Sequence, residues 1–562
     1  MKINKKLLSA FLVALLIFSF VTGCSVDEQK EISSDQEDNQ ENMEADGEKI
    51  LRRASLSAPS GVFNPLLNND DYNAYVTDLI YENLVTLTPD LEFEPVLAEE
   101  WELSEDARSI TFHLRKGVKW HDGEPFTAED VKFTYEFIAN PKYPGAYSSY
   151  INAIEGYEAR KSGQADELTG VEVIDKHTVK ITTSEVYAPF LEKICFWIRI
   201  IPKHIWGEVD IEKANESTEL LRNPIGTGPF KFTEFSPDRY TIVEKNTDYW
   251  DGEAKLDKII LQVVNPETAQ AQMLNGELDY LPLTTLEPDN IKMYEDAGFV
   301  VEEFKYNAYQ NMIINNQNPV LNNKWVRQAL AYGIDRQGIV DSILYGYGNV
   351  ANQIYPTHFW PYPGDDQINH YEYNPEKAIE LLTEKAGWEY KDGKMYIDSN
   401  PAKFTLIYPS GNKARELSAP VIQENLKNIG IEIELQMMEF ATMAAQVEEP
   451  SPDAFDFALM GHGIGADADV RTFLHTDFIF NGANYCRYSN EELDKLLEEG
   501  MKYLDIEKRK PIYAEVAKIV NEEMPTLYLY NYSSAIAIVP NLKGIRPHAF
   551  TSAYNAVNWD LE

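Results

Sequence analysis

Cysteine is nearly absent, with three residues in 562. Cys24, Cys195 and Cys486 lie far apart, so there is no disulfide framework and no zinc-ligand spacing. One bridge, Cys195 to Cys486, stays open to a chain folding in an oxidising exterior. Basic runs are missing as well. Fifty Lys and Arg face 91 Asp and Glu, a formal charge of −41. Without clustered cations the chain has no means of holding a nucleic-acid backbone, and a broad electrostatic grip on anionic lipid is disfavoured. There is no Gly-x-Ser-x-Gly elbow, no His-Glu-x-x-His and no Walker lysine. Gly226-x-Gly228 lacks both the Lys-Ser/Thr of a phosphate loop and a third glycine, and reads as a turn. Repeats and low-complexity segments are absent after residue 50. These absences argue against an enzyme and give no reason to expect a cofactor or a bound metal. A hydrolase using paired carboxylates such as Asp467 and Asp469 is the remote alternative, since sequence spacing says nothing of their geometry. A sensory or adhesive surface protein is the other.

What is present begins at the N-terminus. Lys2, Lys5 and Lys6 precede an apolar run from Leu7 to Val21, too short for a comfortable membrane span and shaped like an export signal. It ends in Val21-Thr22-Gly23-Cys24, which resembles a bacterial lipobox and implies cleavage after residue 23 and lipidation of Cys24. Residues 25–49 carry ten Asp or Glu, two Lys and no aromatic residue. Such a stretch buries too little apolar surface to offset its conformational entropy, so 24–50 is expected to be a flexible acidic tether. As a coil it would reach roughly 25–30 Å. The remaining length is too great for one core, and 44% hydrophobic content with nine Trp predicts a globular body of two or three domains.

Periodicity gives the fold class. Phe404 to Tyr408 reads as a buried strand, about 412–429 as a helix with Leu417, Val421, Ile422 and Leu426 on one side, and Ile431, Ile433, Leu435 and Met437 as an alternating strand. This strand–helix–strand unit favours parallel pairing. Phe455 to Met460 is a candidate further strand. Asn374-Pro375 and Ser489-Asn490-Glu491 mark helix starts. The segment 95–135 mixes short strands with turns at Lys116-Gly117 and Asp122-Gly123. The expectation is an α/β protein with a strand-rich insertion.

The segment from Leu97 to Tyr135 carries a long signature: Leu97-Ala98-Glu99-Glu100-Trp101, then the run from Phe112-His113-Leu114-Arg115-Lys116-Gly117 through Trp120-His121-Asp122-Gly123 to Asp130-Val131. Phe63-Asn64-Pro65, Ile80 to Leu84, Gly226 to Phe230, Asn246 to Trp250, and Val326 to Arg336 follow in order. Together they resemble the extracytoplasmic solute-binding proteins of peptide, nickel and related ABC importers. The resemblance implies a periplasmic-binding-protein-like fold of two lobes joined by a hinge. Lobe I would hold 51–306 and 530–562, with 92–190 as its inserted subdomain, and lobe II would hold 307–529. It also implies a monomer, anchored through its acylated N-terminus on the outer face of the cytoplasmic membrane. Such a protein would capture oligopeptides or dipeptides and deliver them to permease subunits. A nickel chelate, haem, an oligosaccharide or another small solute is the alternative cargo. His113, His121, Trp101 and Trp120 within the signature are read as structural.

In open α/β sheets ligands sit beyond the carboxyl ends of strands. Strand 455–460 runs into Gly461-His462-Gly463-Ile464-Gly465-Ala466-Asp467-Ala468-Asp469, where glycines allow close approach and two carboxylates follow. In peptide-binding relatives an Asp of this segment pairs with the ligand's α-ammonium. Asp467 is the better match and Asp469 the runner-up, while either could instead cap a helix starting near Val470. Arg471 either holds a ligand carboxylate or neutralises one of these Asp residues. The resemblance places Asn484 and Tyr485 on the cleft wall, and the loop Asn69-Asp70-Asp71-Tyr72 against ligand from lobe I.

Overall fold

The computed structural model describes residues 47–562 apart from 69 and 481. The export signal, Cys24 and most of the acidic stretch lie outside the described residues. Ile50, the last residue assigned to the tether, already opens the strand Ile50–Ser55. No helix among the described residues is long and apolar enough to cross a membrane.

The main body is α/β, organised on one twelve-stranded mixed sheet. The strand–helix–strand unit forms where expected, but Leu417 and Met437 of the expected apolar faces are exposed, and Ser418, Ala419, Ile422 and Leu426 are the buried helix positions. Lys403–Pro409 and Glu432–Met438 pair in parallel, joined by the helix Lys413–Asn428, with Gly430 at φ +85° turning the chain back. The strand read at 455–460 runs later, over Phe457–Gly463, and pairs antiparallel along its whole length with Ala308–Ile314. Two of its glycines are therefore ladder residues.

Leu527–Ile538 is the longest strand. Its first residues pair with Ala308–Ile314, and its later ones with Val300–Lys305 and Tyr280–Leu283. Beyond Tyr280–Leu283 the sheet continues through Ile50–Ser55 and Lys258–Val263. Two large cores flank this strand. One gathers residues from 51–280 and 536–559 together with Ala466; the other gathers residues from 309–530. Cys195 sits in the first and Cys486 in the second, and both thiols are free and buried. The open possibility of a bridge is thus not realised. Burial pushes the Cys486 thiol up to about 11.

A four-stranded antiparallel sheet, Ala98–Leu103, Ser109–Leu114, Thr178–Thr182 and Val171–Asp175, forms the strand-rich insertion. It shares the first core rather than building its own. The signature residues prove structural. Trp120 is buried, and His121 accepts from the Gly226 amide (3.3 Å) while its other ring nitrogen meets the Gly228 carbonyl (3.0 Å). Burial pulls the His121 imidazole down to about 4, so it is neutral at ordinary pH. Gly226 cannot be replaced, because a Cβ there would lie 2.0 Å from the Ile80 carbonyl oxygen.

Two of the sequence segments quoted above, Ile80–Leu84 and Asn246–Trp250, meet at Glu82. Its carboxylate accepts from Tyr249 (2.8 Å) and from the Trp250 indole (3.1 Å), and it is almost fully buried. Burial raises its pKa from 4.5 to about 7, against the lowering effect of those donors. The folded protein therefore holds a proton that the unfolded chain releases above its lower pKa. Stability from this group is complete below about pH 4.5 and is lost as pH rises through about 7, to a total of about 3 kcal/mol. Glu82→Gln keeps an acceptor for Tyr249 and carries no charge. Urea unfolding from pH 5 to 8 should show the variant gaining on the wild type as pH rises; parallel curves would refute the assignment.

Candidate functional site

Two cavities meet beside the shared strand. The larger, about 550 Å³, is walled by the Ile50–Ser55 strand, the helix Asp71–Ile80 and the C-terminal loop 545–554. The smaller, about 290 Å³, lies between the ends of Ala308–Ile314 and Phe457–Gly463 and the start of the helix Lys413–Asn428. Tyr306, Ala549 and Phe550 line both, so the two form one trough.

The C-terminal loop is held in place by charge. Asp78 is ion-paired with Arg199, and it accepts from Thr551 Oγ1 (3.1 Å) and the Ser552 amide (3.0 Å). On the other wall Phe457–Gly463 registers with Lys403–Pro409 only at Phe457 and Ala458. Residues 461–463 thus have a strand partner on one side alone and are half-buried or exposed.

Arg415 stands next to that open edge. Its Nε donates to Gln310 Oε1 (2.9 Å), and no carboxylate among the described residues lies within ion-pair distance. Burial pulls the guanidinium below its ordinary value, while the nearby Tyr530 and Tyr532 raise it. His462 packs among the rings of Tyr309, Phe473 and Tyr485, and neither ring nitrogen has a partner. Burial, helped by the Arg415 charge, lowers His462 to about 4, so it faces the cavity neutral.

The residues chosen from sequence are distributed differently from the expectation. Asp467 is not on a cavity wall. Both its oxygens are held by Arg509, at 2.5 and 2.6 Å, and Oδ1 also accepts from the Asp469 amide (2.9 Å). Asp469 is gripped by Arg471 through Nε and Nη2, both at 2.9 Å, and accepts from the Arg471 amide (3.1 Å). Arg471 thus neutralises Asp469, one of the alternatives read from the sequence. The helix that follows, Arg471–Leu474, is a single turn whose N-cap is Val470, with no side-chain cap. Asn484 is wholly buried, and its amide bonds the His475 and Tyr488 carbonyls. An Asn whose donors and acceptor all brace its own loop has nothing left for a ligand. Tyr485 backs His462 and donates to Glu448 (3.2 Å). Tyr72 packs edge-on against Tyr75. Asn69 lies outside the described residues; of the seven others, Asp71 alone lines the trough, exposed at its mouth.

The loop carrying Asp467 serves another purpose. Its amide donates to Glu192 (2.5 Å), which is buried in the segment Phe190–Phe196 of the first core. Gly465 packs against the same carboxylate so closely that a Cβ would lie 2.3 Å from it. The loop thereby ties the second core to the first.

A family model described as bacterial extracellular solute-binding proteins, family 5 Middle, matches residues 92–484. The chain belongs to this family. Oligopeptide-binding protein AppA of Bacillus subtilis is 30% identical over 564 residues, spanning 100% of both chains. Heme-binding protein A of Haemophilus influenzae is 28% identical over 502 residues, 87% of this chain and 88% of the relative. The solved structure of AppA from Bacillus subtilis in complex with a nonapeptide has a TM-score of 0.69 at 30% identity, over 92% of this chain and 99% of that one. The architecture is accordingly the two-lobed one of periplasmic binding proteins.

Sequence reasoning passed over the family member's own cleft cations. Arg415 did leave a signal, since Lys413 and Arg415 in a first helical turn oppose the helix dipole. Arg509 is nearly inaccessible, so removing the Asp467 charge would strand a buried guanidinium. Asp467→Asn should lower the ligand-free stability by about 3–5 kcal/mol in urea unfolding. The more exposed Asp469→Asn should cost less than about 1 kcal/mol. Equal costs would mean that the Asp467–Arg509 pair does not hold the loop.

Proposed function

We propose that this protein captures peptides in the trough and delivers them to the permease of an ABC importer. In this reading the lobes comprise 51–306 with 530–562, and 307–529. They close about the segments near 306 and 530. An extended peptide pairs its backbone with the open edge at 461–463, as an added strand would. Its carboxylate meets Arg415 and its ammonium meets Asp71 at the mouth. Asp467 could receive the ammonium only by sharing its carboxylate with Arg509. Capture involves no bond making, so side chains tolerated by the trough set the specificity. The protein would be held outside the cytoplasmic membrane by lipid on Cys24. A single acyl chain binds weakly, so more than one is expected there. The sequence features supporting this anchor are the Lys-rich start, the apolar run and Val21-Thr22-Gly23-Cys24.

The observation that carries the peptide reading is Arg415, a cation left without a carboxylate beside an unpaired strand edge. The peptide named in the AppA complex supports it by likeness. Haem or a metal chelate is the second reading, favoured by the neutral, unpartnered His462. Calorimetric titration separates the two. A free peptide should bind at least about tenfold more tightly than its C-terminal amide, and Arg415→Gln should remove that difference. Small-angle scattering should show a smaller radius of gyration on saturation. If amidated and free peptides bind alike and Asp71→Asn changes nothing, recognition of peptide termini fails. Binding of haem or a nickel–histidine chelate, lost in His462→Ala, would then replace it.

A further inference from the structure

The larger cavity has a buried cation at its floor that the reading above does not use. Arg53 is only 2% exposed although it lines this cavity. Among the described residues its guanidinium makes one hydrogen bond, Nη1 to the Ser552 carbonyl (3.0 Å). Its Nε has no partner, and no carboxylate lies within ion-pair distance. The rings of Tyr75 and Tyr280 hold it from two sides, 4.5 and 4.8 Å from their centroids. Cation–π contact orients a guanidinium and compensates part of its lost hydration, but it supplies no counter-charge.

Other buried arginines of this chain are treated differently. Arg509 has both oxygens of Asp467. Arg327 bonds three carbonyls and lies 3.6 Å from Glu523, and Arg336 bonds four carbonyls. The acids near Arg53 are committed elsewhere. Asp78 serves Arg199 and the C-terminal loop, and Asp70 caps the helix Asp71–Ile80. Asp71 is exposed at the mouth. Arg53 is therefore an oriented cation with donors to spare, on the wall of a cavity large enough for a side chain.

We infer that Arg53 forms an anionic subsite, which takes the carboxylate side chain of an Asp or Glu within the bound peptide. This rests on the peptide reading and narrows it: the favoured cargo carries an acidic residue besides its terminal carboxylate. A carboxylate is the natural partner, because guanidinium presents two parallel donors that a carboxylate can accept together. A purely structural Arg53, tying Ser552 to the first strand, would be indifferent to the peptide's side chains.

The test uses the full chain and pentapeptides of alanine in which one residue at a time is Glu or, in the matched peptide, Gln. Calorimetric titration should find one position where Glu binds about tenfold or more tighter than Gln. At that position Arg53→Gln should bring the ratio close to one, and Arg53→Lys should keep part of it. Wild-type protein that binds the series with no Glu preference at any position overturns the subsite and leaves the peptide reading standing. A preference that persists in Arg53→Gln overturns it as well. If no peptide of the series binds, the peptide reading itself fails and the subsite falls with it. Should Arg53→Gln not fold, the wild-type ratios together with Arg53→Lys still decide.

Discussion

One strand has two masters. Leu527–Ile538 gives its early residues to the sheet of the second core and its late residues to the sheet of the first. Buried backbone donors and acceptors must be paired, so neither half can drop this strand without exposing a row of orphaned groups. The carbonyl of Tyr528, at its start, is also gripped by the buried Arg336. The sheet is thus continuous across the molecule, while the apolar cores remain separate. Hydrogen bonds tolerate twisting about a strand, whereas packed side chains do not slide. A continuous ladder between two independent cores is what a hinge requires, and the trough opens beside it.

Charge divides the trough from its supports. The loop 465–469, which looked from sequence like the ligand site, spends its carboxylates on Arg509 and Arg471 and its amides on Glu192 and Asp467. Such pairing rigidifies the place where the cores touch. Beside it, Arg415 and Arg53 are left with a single hydrogen bond each among the described residues, to Gln310 and to Ser552. Buried or half-buried cations without partners cost stability unless a ligand supplies the missing acceptor.

The fold was legible where side-chain period and backbone agreed. The change from period two to 3.6 and back over 403–438 marked strand, helix and strand, and their parallel pairing followed from connection length. The strand at 457–463 was placed too early because Gly461 and Gly463 read as loop. Yet a ladder needs only backbone, and both pair with Ala308–Ile314. The helix expected near Val470 shrank to one turn. The site was less legible. Residue type marks Asp467 as a candidate, but its partner Arg509 stands 42 residues away and no local pattern announces it. Asn484 and Tyr485 are marked only by likeness to relatives, and the first is wholly buried. Arg53 was readable in principle. A second Arg in the apolar run Ile50-Leu51-Arg52-Arg53-Ala54 has no place in a central strand unless something is built around it.

Composition sharpens this last point. Carboxylates outnumber Lys and Arg by 91 to 50, so an arginine in this chain meets an acid unless the fold prevents it. Arg52, next to Arg53, has Asp279 at 2.8 and 3.0 Å. Surface lysines throughout the body find Glu or Asp within 4 Å. Against that background a guanidinium at the floor of a cavity with no acid beside it is a departure from what the sequence would give by default. Two such cations line one trough, one on each side of the shared strand. A ligand bridging them must carry negative charge at two separated points, and closing the lobes on it would pair both charges at once. The same closure would be disfavoured when the trough is empty, because it would bring two uncompensated cations into a drier space. In the proposed reading, a chain of net charge −41 repels anions at large, and the unpaired arginines would reverse that only inside, where an enclosed ligand can satisfy them.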